Sequence, residues 1–219
     1  MAIEYEKSEN IKLLFEELNK NNVKYVLTKN IENELPDKLM TYKDIDILVM
    51  EKDKEVFHNV IRRVARKINH PYSERYGWKN LYNMPEFEFW RMFKGKELIV
   101  DVTYRLCCKS LMPNLWIPLD DYIQEYLWEN RKFDMVNNWW VLDDNTQFVY
   151  LVVRSILDKN SFSERYKKEI IERKNNIDKL IVANMFEVIF FKFTPLLMEM
   201  IDNDNYGDIY RKYVSFADY

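Results

Sequence analysis

The sequence predicts an α+β protein: a mixed sheet with flanking helices over residues 1–110, followed by a mostly helical domain over residues 111–219. Three observations lead there. In the first half, short apolar runs rich in β-formers, VKYVLT, DIDILVM and ELIVDVTYRL, alternate with amphipathic stretches of helical period. After Cys108 the texture changes to prolines and aromatics and then to apolar residues at mainly helical spacing. The composition, 47% hydrophobic and 32% charged with only 3 Gly and 6 Pro, is that of a packed chain with little low-complexity linker.

Taken in order, Ile11, Leu14, Phe15 and Leu18 recur at helical spacing behind Ser8, so residues 9–20 read as a helix with Ser8 as N-cap and Asn21-Asn22 as its end. Val23 to Thr28 reads as a strand, the polar stretch from Lys29 to Lys43 around Pro36 as a loop, and Asp44 to Met50 as a buried central strand. Asp53 to Asn69 places Val56, Val60, Val64 and Ile68 on one helical face. EFEFWRMF, the turn Lys94-Gly95-Lys96 and ELIVDVTYRL then read as a β-hairpin. A boundary falls near residue 110. Beyond it, residues 119–130, 144–158, 163–174 and 177–201 read as helices, with Trp139-Trp140-Val141-Leu142 open to a short strand.

A chain of 219 residues buries a core without disulfides or structural metal. Its 33 basic and 36 acidic residues give a net charge of -3, so no global positive field draws it onto nucleic acid. The run Arg62, Arg63, Arg66 and Lys67 reads as a solvated helix face. Cys107 and Cys108 are adjacent, where disulfide geometry is rarely met; they read as packing rather than as a redox centre, and a reducing, cytoplasmic setting is expected. The N-terminus lacks the apolar core of a signal peptide. No membrane span is expected, because the most apolar run, Met185 to Met200, is interrupted by Glu187, Lys192 and Pro195.

The chemistry concentrates in three aspartates. In a strand, Asp44 and Asp46 project to the same side, roughly 7 Å apart at Cα. Each raises the other's pKa unless a cation intervenes, and a hard, oxygen-liganded ion such as magnesium or manganese removes the repulsion. Removing one acid is accordingly expected to relieve strain in the metal-free protein. Asp101 sits within LIVDV, whose apolar neighbours do not tolerate an unpaired carboxylate. If the two strands are neighbours, the three acids converge on a metal pair suited to in-line nucleotidyl or phosphoryl transfer. The competing reading is that each aspartate caps a turn or meets an arginine, Asp101 with Arg105 or Arg91.

The run from Val23 to Val49, with Asp44-Ile45-Asp46 entering an apolar strand, and the later LIVDV strand resemble the nucleotidyltransferase superfamily that includes DNA polymerase β, aminoglycoside nucleotidyltransferases and small bacterial nucleotidyltransferases. The resemblance covers roughly residues 8–106. It implies a nucleotidyltransferase-like N-terminal domain, with Asp44 and Asp46 as the paired metal-binding acids. It makes Asp101 the third acid, which helps activate the acceptor hydroxyl, and a nucleoside triphosphate the donor. The chain departs from the pattern after the first strand, where Leu27-Thr28-Lys29-Asn30 replaces the usual Gly-Ser or Gly-Gly pair. Thr28 and Asn30 can donate hydrogen bonds and Lys29 can pair with a phosphate, but side chains here restrict close backbone approach to a triphosphate.

The histidines, His58 and His70, have no zinc-site spacing, and no Walker loop, GxGxxG or GxSxG is present. Aromatics between the second helix and the hairpin read mainly as packing, with Trp78, Lys79 and Arg91 the candidates for substrate contact. Two functions are expected to compete. One is magnesium-dependent transfer from a nucleoside triphosphate to a hydroxyl or phosphate of a small molecule, glycan precursor or protein. The other is a catalytically silent binding or antitoxin-like module that meets a protein partner, or a second copy of itself, through its helical half.

Overall fold

The computed structural model describes residues 4–69, 72–76, 80–81, 88–92, 98–110, 112 and 115–218, with backbone alone at 72–76, 80–81 and 88–92. Helix α1, Ser8–Lys20, buries Ile11, Leu14, Phe15 and Leu18, spaced three and four apart as an amphipathic helix requires. Ser8 does not cap it. Its hydroxyl donates to Asp37 at 2.6 Å, so Lys7 is the N-cap residue, with no side-chain bond. Helix α2, Lys54–Lys67, buries Phe57, Val60, Ile61, Val64 and Ala65. Val56, expected on that face, is exposed, because the apolar stripe runs through Phe57 and Ile61 instead. Two members of the basic run hold α1 against α2: Lys67 Nζ lies 2.7 Å and Arg63 Nε 3.2 Å from the Glu17 carboxylate, and the Lys67 hydrogen bond lowers the pKa of that carboxyl.

The strands are β1 Tyr25–Leu27, β2 Asp44–Val49, β3 Tyr72–Tyr76, β4 Asn80–Leu81, β5 Glu88–Met92, β6 Leu98–Thr103, β7 Cys107–Lys109, β8 Leu115–Pro118, β9 Lys132–Asp134 and β10 Trp139–Val141. Seven of them form one mixed sheet in the order β3-β5-β6-β2-β1-β10-β9. The expected β5–β6 pairing is present and antiparallel, while its turn at Lys94-Gly95-Lys96 lies outside the described residues. β2 runs antiparallel to β1 and parallel to β6. Alternation then sorts the side chains. Ile45, Ile47 and Val49 of β2 join Leu98, Val100 and Val102 of β6 and Tyr25 and Leu27 of β1 in one core with α1 and α2, leaving Asp44, Asp46 and Asp101 to the other face.

By internal contacts the chain divides into two units, one of Met1–Leu106 with Arg131–Leu142, the other of Cys107–Asn130 with Asp143–Tyr219. The hairpin of β9 and β10 thus belongs with the first unit, where β10 pairs parallel to β1. Its tip is closed by Asp134, whose carboxylate accepts from the amides of Val136 (2.9 Å) and Asn137 (3.1 Å). Trp139 is fully buried with its ring 4.8 Å from that of Phe15. The Arg131 guanidinium lies over Trp140 at 3.9 Å and donates to the Tyr25 carbonyl at 3.0 Å.

The second unit is mainly helical: α3 Asp121–Asn130, α4 Asp144–Val153, α5 Glu164–Arg173, α6 Lys179–Phe190, α7 Thr194–Asp202 and α8 Tyr206–Val214, beside the antiparallel pair β7–β8. Asp143, Ser163 and Asp178 cap α4, α5 and α6 through their side chains. α4 runs on as a π-helical turn, Arg154–Asp158. The single helix expected over 177–201 is broken where Phe191 takes a positive φ of 49°. Lys179–Asp202 contains an 18-residue window with a mean hydropathy of 1.7, which by length and composition alone would suffice to cross a membrane. It is interrupted at Phe191, however, and Val182, Met185, Phe186, Phe190, Phe193 and Leu197 along it are buried within the protein.

Neither cysteine forms a disulfide, and both are buried. Desolvation, assisted by the nearby Asp158 carboxylate, pushes the Cys108 thiol up to about 12. The Cys108 thiolate is therefore scarce near neutrality and Cys107 is shielded by burial, so both are expected to react with an aromatic disulfide reagent only as the protein unfolds. Prompt native-state labelling of either thiol, followed by mass spectrometry, would contradict this.

Candidate metal and nucleotide site

Asp46 and Asp101 are register partners on the adjacent parallel strands β2 and β6, so they project from the same face, and Asp44 lies two residues before Asp46 on that face. One carboxylate oxygen from each of Asp44, Asp46 and Asp101 lies within 4.8 Å of the others, Asp44 exposed and the other two partly buried. The convergence expected from sequence is thus present. Two ionised carboxylates at this separation repel by about 3 kcal/mol at an effective dielectric near 20.

The β1 end of the site is organised by Thr28. Its amide donates to the Asp46 carbonyl at 3.0 Å and its hydroxyl to the same oxygen at 3.2 Å. These bonds carry the β1–β2 register one residue beyond the strand and bury Thr28 at the base of the site. The next side chain reaches the acids: Lys29 Nζ is 2.6 Å from Asp46 Oδ2. Asn30 turns away, its Oδ1 accepting from the Leu35 amide at 2.9 Å, so it braces the loop toward β2. Of the three residues expected to approach a phosphate, one is a buried clamp, one an ammonium on the carboxylates and one a loop brace. Trp78 and Lys79 lie outside the described residues. Arg91 is described by backbone alone, opposite Ile99.

Lys29 was legible in sequence as a phosphate partner but not as the partner of Asp46. The register pairs Thr28 with Asp46, and simple alternation would turn Lys29 to the opposite face, so its contact with Asp46 comes from the chain leaving the strand after Thr28.

Oxygen donors alone, with net negative charge, suit a hard divalent cation. Magnesium holds its oxygens at about 2.0–2.1 Å, so adjacent ligands stand about 3 Å apart and opposite ones about 4 Å, and the trio, within 4.8 Å of one another, closes by up to about 2 Å around a single ion. The residues present fit that cation. A buried His58 elsewhere in the first unit, 3.1 Å from the Tyr104 hydroxyl, takes no part in the trio.

No protein-family model matches the chain, and no curated protein matches it in sequence. Structural similarity to nucleotidyltransferase-fold proteins extends across most of the chain. The antibiotic-resistance factor ANT(2'')-Ia is 6% identical with a TM-score of 0.48, over 88% of this chain and 95% of that one. An antigenic nucleotidyltransferase-like protein from Paracoccidioides brasiliensis is 9% identical with a TM-score of 0.44, over 89% of this chain and 91% of that one. At these TM-scores and identities the likenesses carry over no residue's role and no activity.

Proposed function

We propose that the protein transfers a nucleotidyl group from a magnesium-bound nucleoside triphosphate to a hydroxyl or phosphate acceptor. The observation supporting this reading is the approach of Asp44, Asp46 and Asp101 to within 4.8 Å of one another on one face of two adjacent parallel strands. Asp44 and Asp46 are the residues to hold the cation, which when bound neutralises the triphosphate and polarises its phosphoryl oxygens. Asp101, on the neighbouring strand, takes the proton of the acceptor in this reading, as the acceptor oxygen attacks the α-phosphorus and pyrophosphate leaves. Lys29 supplies positive charge beside the same acids, and Thr28 holds the end of β1 against Asp46.

A silent, partner-binding relative is favoured by one specific observation. The Thr28 hydroxyl and the Asn30 side-chain oxygen are both engaged with the protein's own backbone, and no glycine stands between Leu27 and Asn30. Calorimetric titration of magnesium and each nucleoside triphosphate into the wild type and Asp44→Ala separates the two. Transfer requires binding to the wild type that the substitution weakens at least about ten-fold, as expected when one charged metal ligand is lost. Binding unaffected by Asp44→Ala, or none to the wild type, favours the silent module. A screen of labelled triphosphates against small metabolites and cell extract then identifies the acceptor.

A further inference from the structure

The carboxylate trio already holds a cation of the protein's own. Lys29 Nζ lies 2.6 Å from Asp46 Oδ2, and the two side chains are only 16% and 22% exposed, so the pair is poorly screened by solvent. Its tether is fixed on both sides. Thr28 is bound to the Asp46 carbonyl through its amide and its hydroxyl, and Asn30 is bound to the loop through the Leu35 amide. The backbone of residue 29 therefore stays beside the acids, while the four-carbon stem has the length to carry the ammonium over several ångströms.

Resting on the metal-and-nucleotide reading above, the geometry points to Lys29 as a competitor of the divalent ion that makes metal binding contingent on phosphate. Without nucleotide, an ion approaching Asp46 must displace the ammonium, and the trio then loses one cation as it gains another. When metal and triphosphate arrive together, the displaced ammonium meets phosphate oxygens and recovers a charge-assisted partner. Lys29 thus opposes the bare ion and favours the metal–triphosphate complex. By linkage, the triphosphate raises metal affinity by the same factor that the metal raises triphosphate affinity. The ammonium also lowers the repulsion felt at Asp46 in the metal-free state.

The test uses the full chain and probes without a base: manganese alone, followed by paramagnetic resonance, and the manganese–inorganic triphosphate complex, followed by calorimetry. Lys29→Met is expected to bind manganese alone on the order of ten-fold more tightly than the wild type, and the triphosphate complex several-fold more weakly. Lys29→Arg, which keeps the charge, is expected to stay near the wild type in the manganese titration. Lys29→Gln provides a second neutral variant, and circular dichroism establishes that each is folded. Manganese binding by both neutral variants equal to or weaker than the wild type overturns the competition while leaving the metal site standing. Absence of manganese binding in the wild type and both neutral variants, or binding indifferent to Asp44→Asn, overturns the metal site itself and the competition with it.

Discussion

Asp46→Asn is expected to lower nucleotidyl transfer by at least about a thousand-fold while leaving the fold intact, because it removes a charged metal ligand with little change in volume. Asp101→Asn is expected to reduce turnover by a similar factor but to weaken metal–triphosphate binding less. Asp101 lies on the neighbouring strand, and its proposed task is on the acceptor oxygen. The two variants should therefore separate in calorimetry and coincide in turnover. Retention of wild-type rates by both, at saturating metal and donor, would mean that the trio is structural. The stability of Asp46→Asn is a subtler matter. Sequence reasoning expects a gain from relieved repulsion, but the 2.6 Å pair with Lys29 opposes it. The loss of that partner should leave the metal-free variant less stable by on the order of 1 kcal/mol, measurable by urea denaturation.

Trp139→Ala should destabilise the first unit by about 3–5 kcal/mol in urea denaturation, a large fraction of the stability of an ordinary domain. The side chain is 1% exposed and packs against Phe15, so truncation leaves a cavity beneath helix α1 that rigid neighbours fill poorly. The indole Nε1 has no hydrogen-bond partner among the described residues, so Trp139→Phe keeps an aromatic ring, removes an unsatisfied donor and should be much milder. A loss below about 1 kcal/mol for the alanine variant would show that the hairpin is an ornament rather than part of the core.

Much of the sheet was legible because local period and local chemistry agree there. Asp44–Val49 and Leu98–Thr103 begin in alternation and end in consecutive buried residues, and a charged residue within such a strand points to its own use. Helix α1 was legible for the same reason, although Ser8 was misassigned: its hydroxyl found Asp37, which no local rule foresees. The pairing of β10 with β1 was not legible. A parallel contact between Leu27 and Val141 leaves no trace in the period of either segment, and Trp139-Trp140-Val141-Leu142 by itself indicates at most a short strand without a partner. The break at Phe191 escaped because a phenylalanine gives no warning of positive φ, and α8 escaped because only Tyr206 and Ile209 are buried along it. In the site, residue types revealed the acids, whereas the roles of Thr28, Lys29 and Asn30 depend on which backbone atoms lie opposite them.

The interleaving of the two units bears on how the protein can be made and divided. A ribosome that has delivered residues through Leu106 has produced β1 but not its neighbour β10, so one edge of that strand remains open while the segment Cys107–Asn130 is being synthesised. Only with Leu142 does the first unit possess all its strands, and only then can Trp139 fill the space beside Phe15. A fragment cut near residue 110 would carry all three acids yet present a bare strand edge and a hollow where an indole belongs. Its aggregation would report a missing piece of sheet rather than any defect in the chemistry of the aspartates.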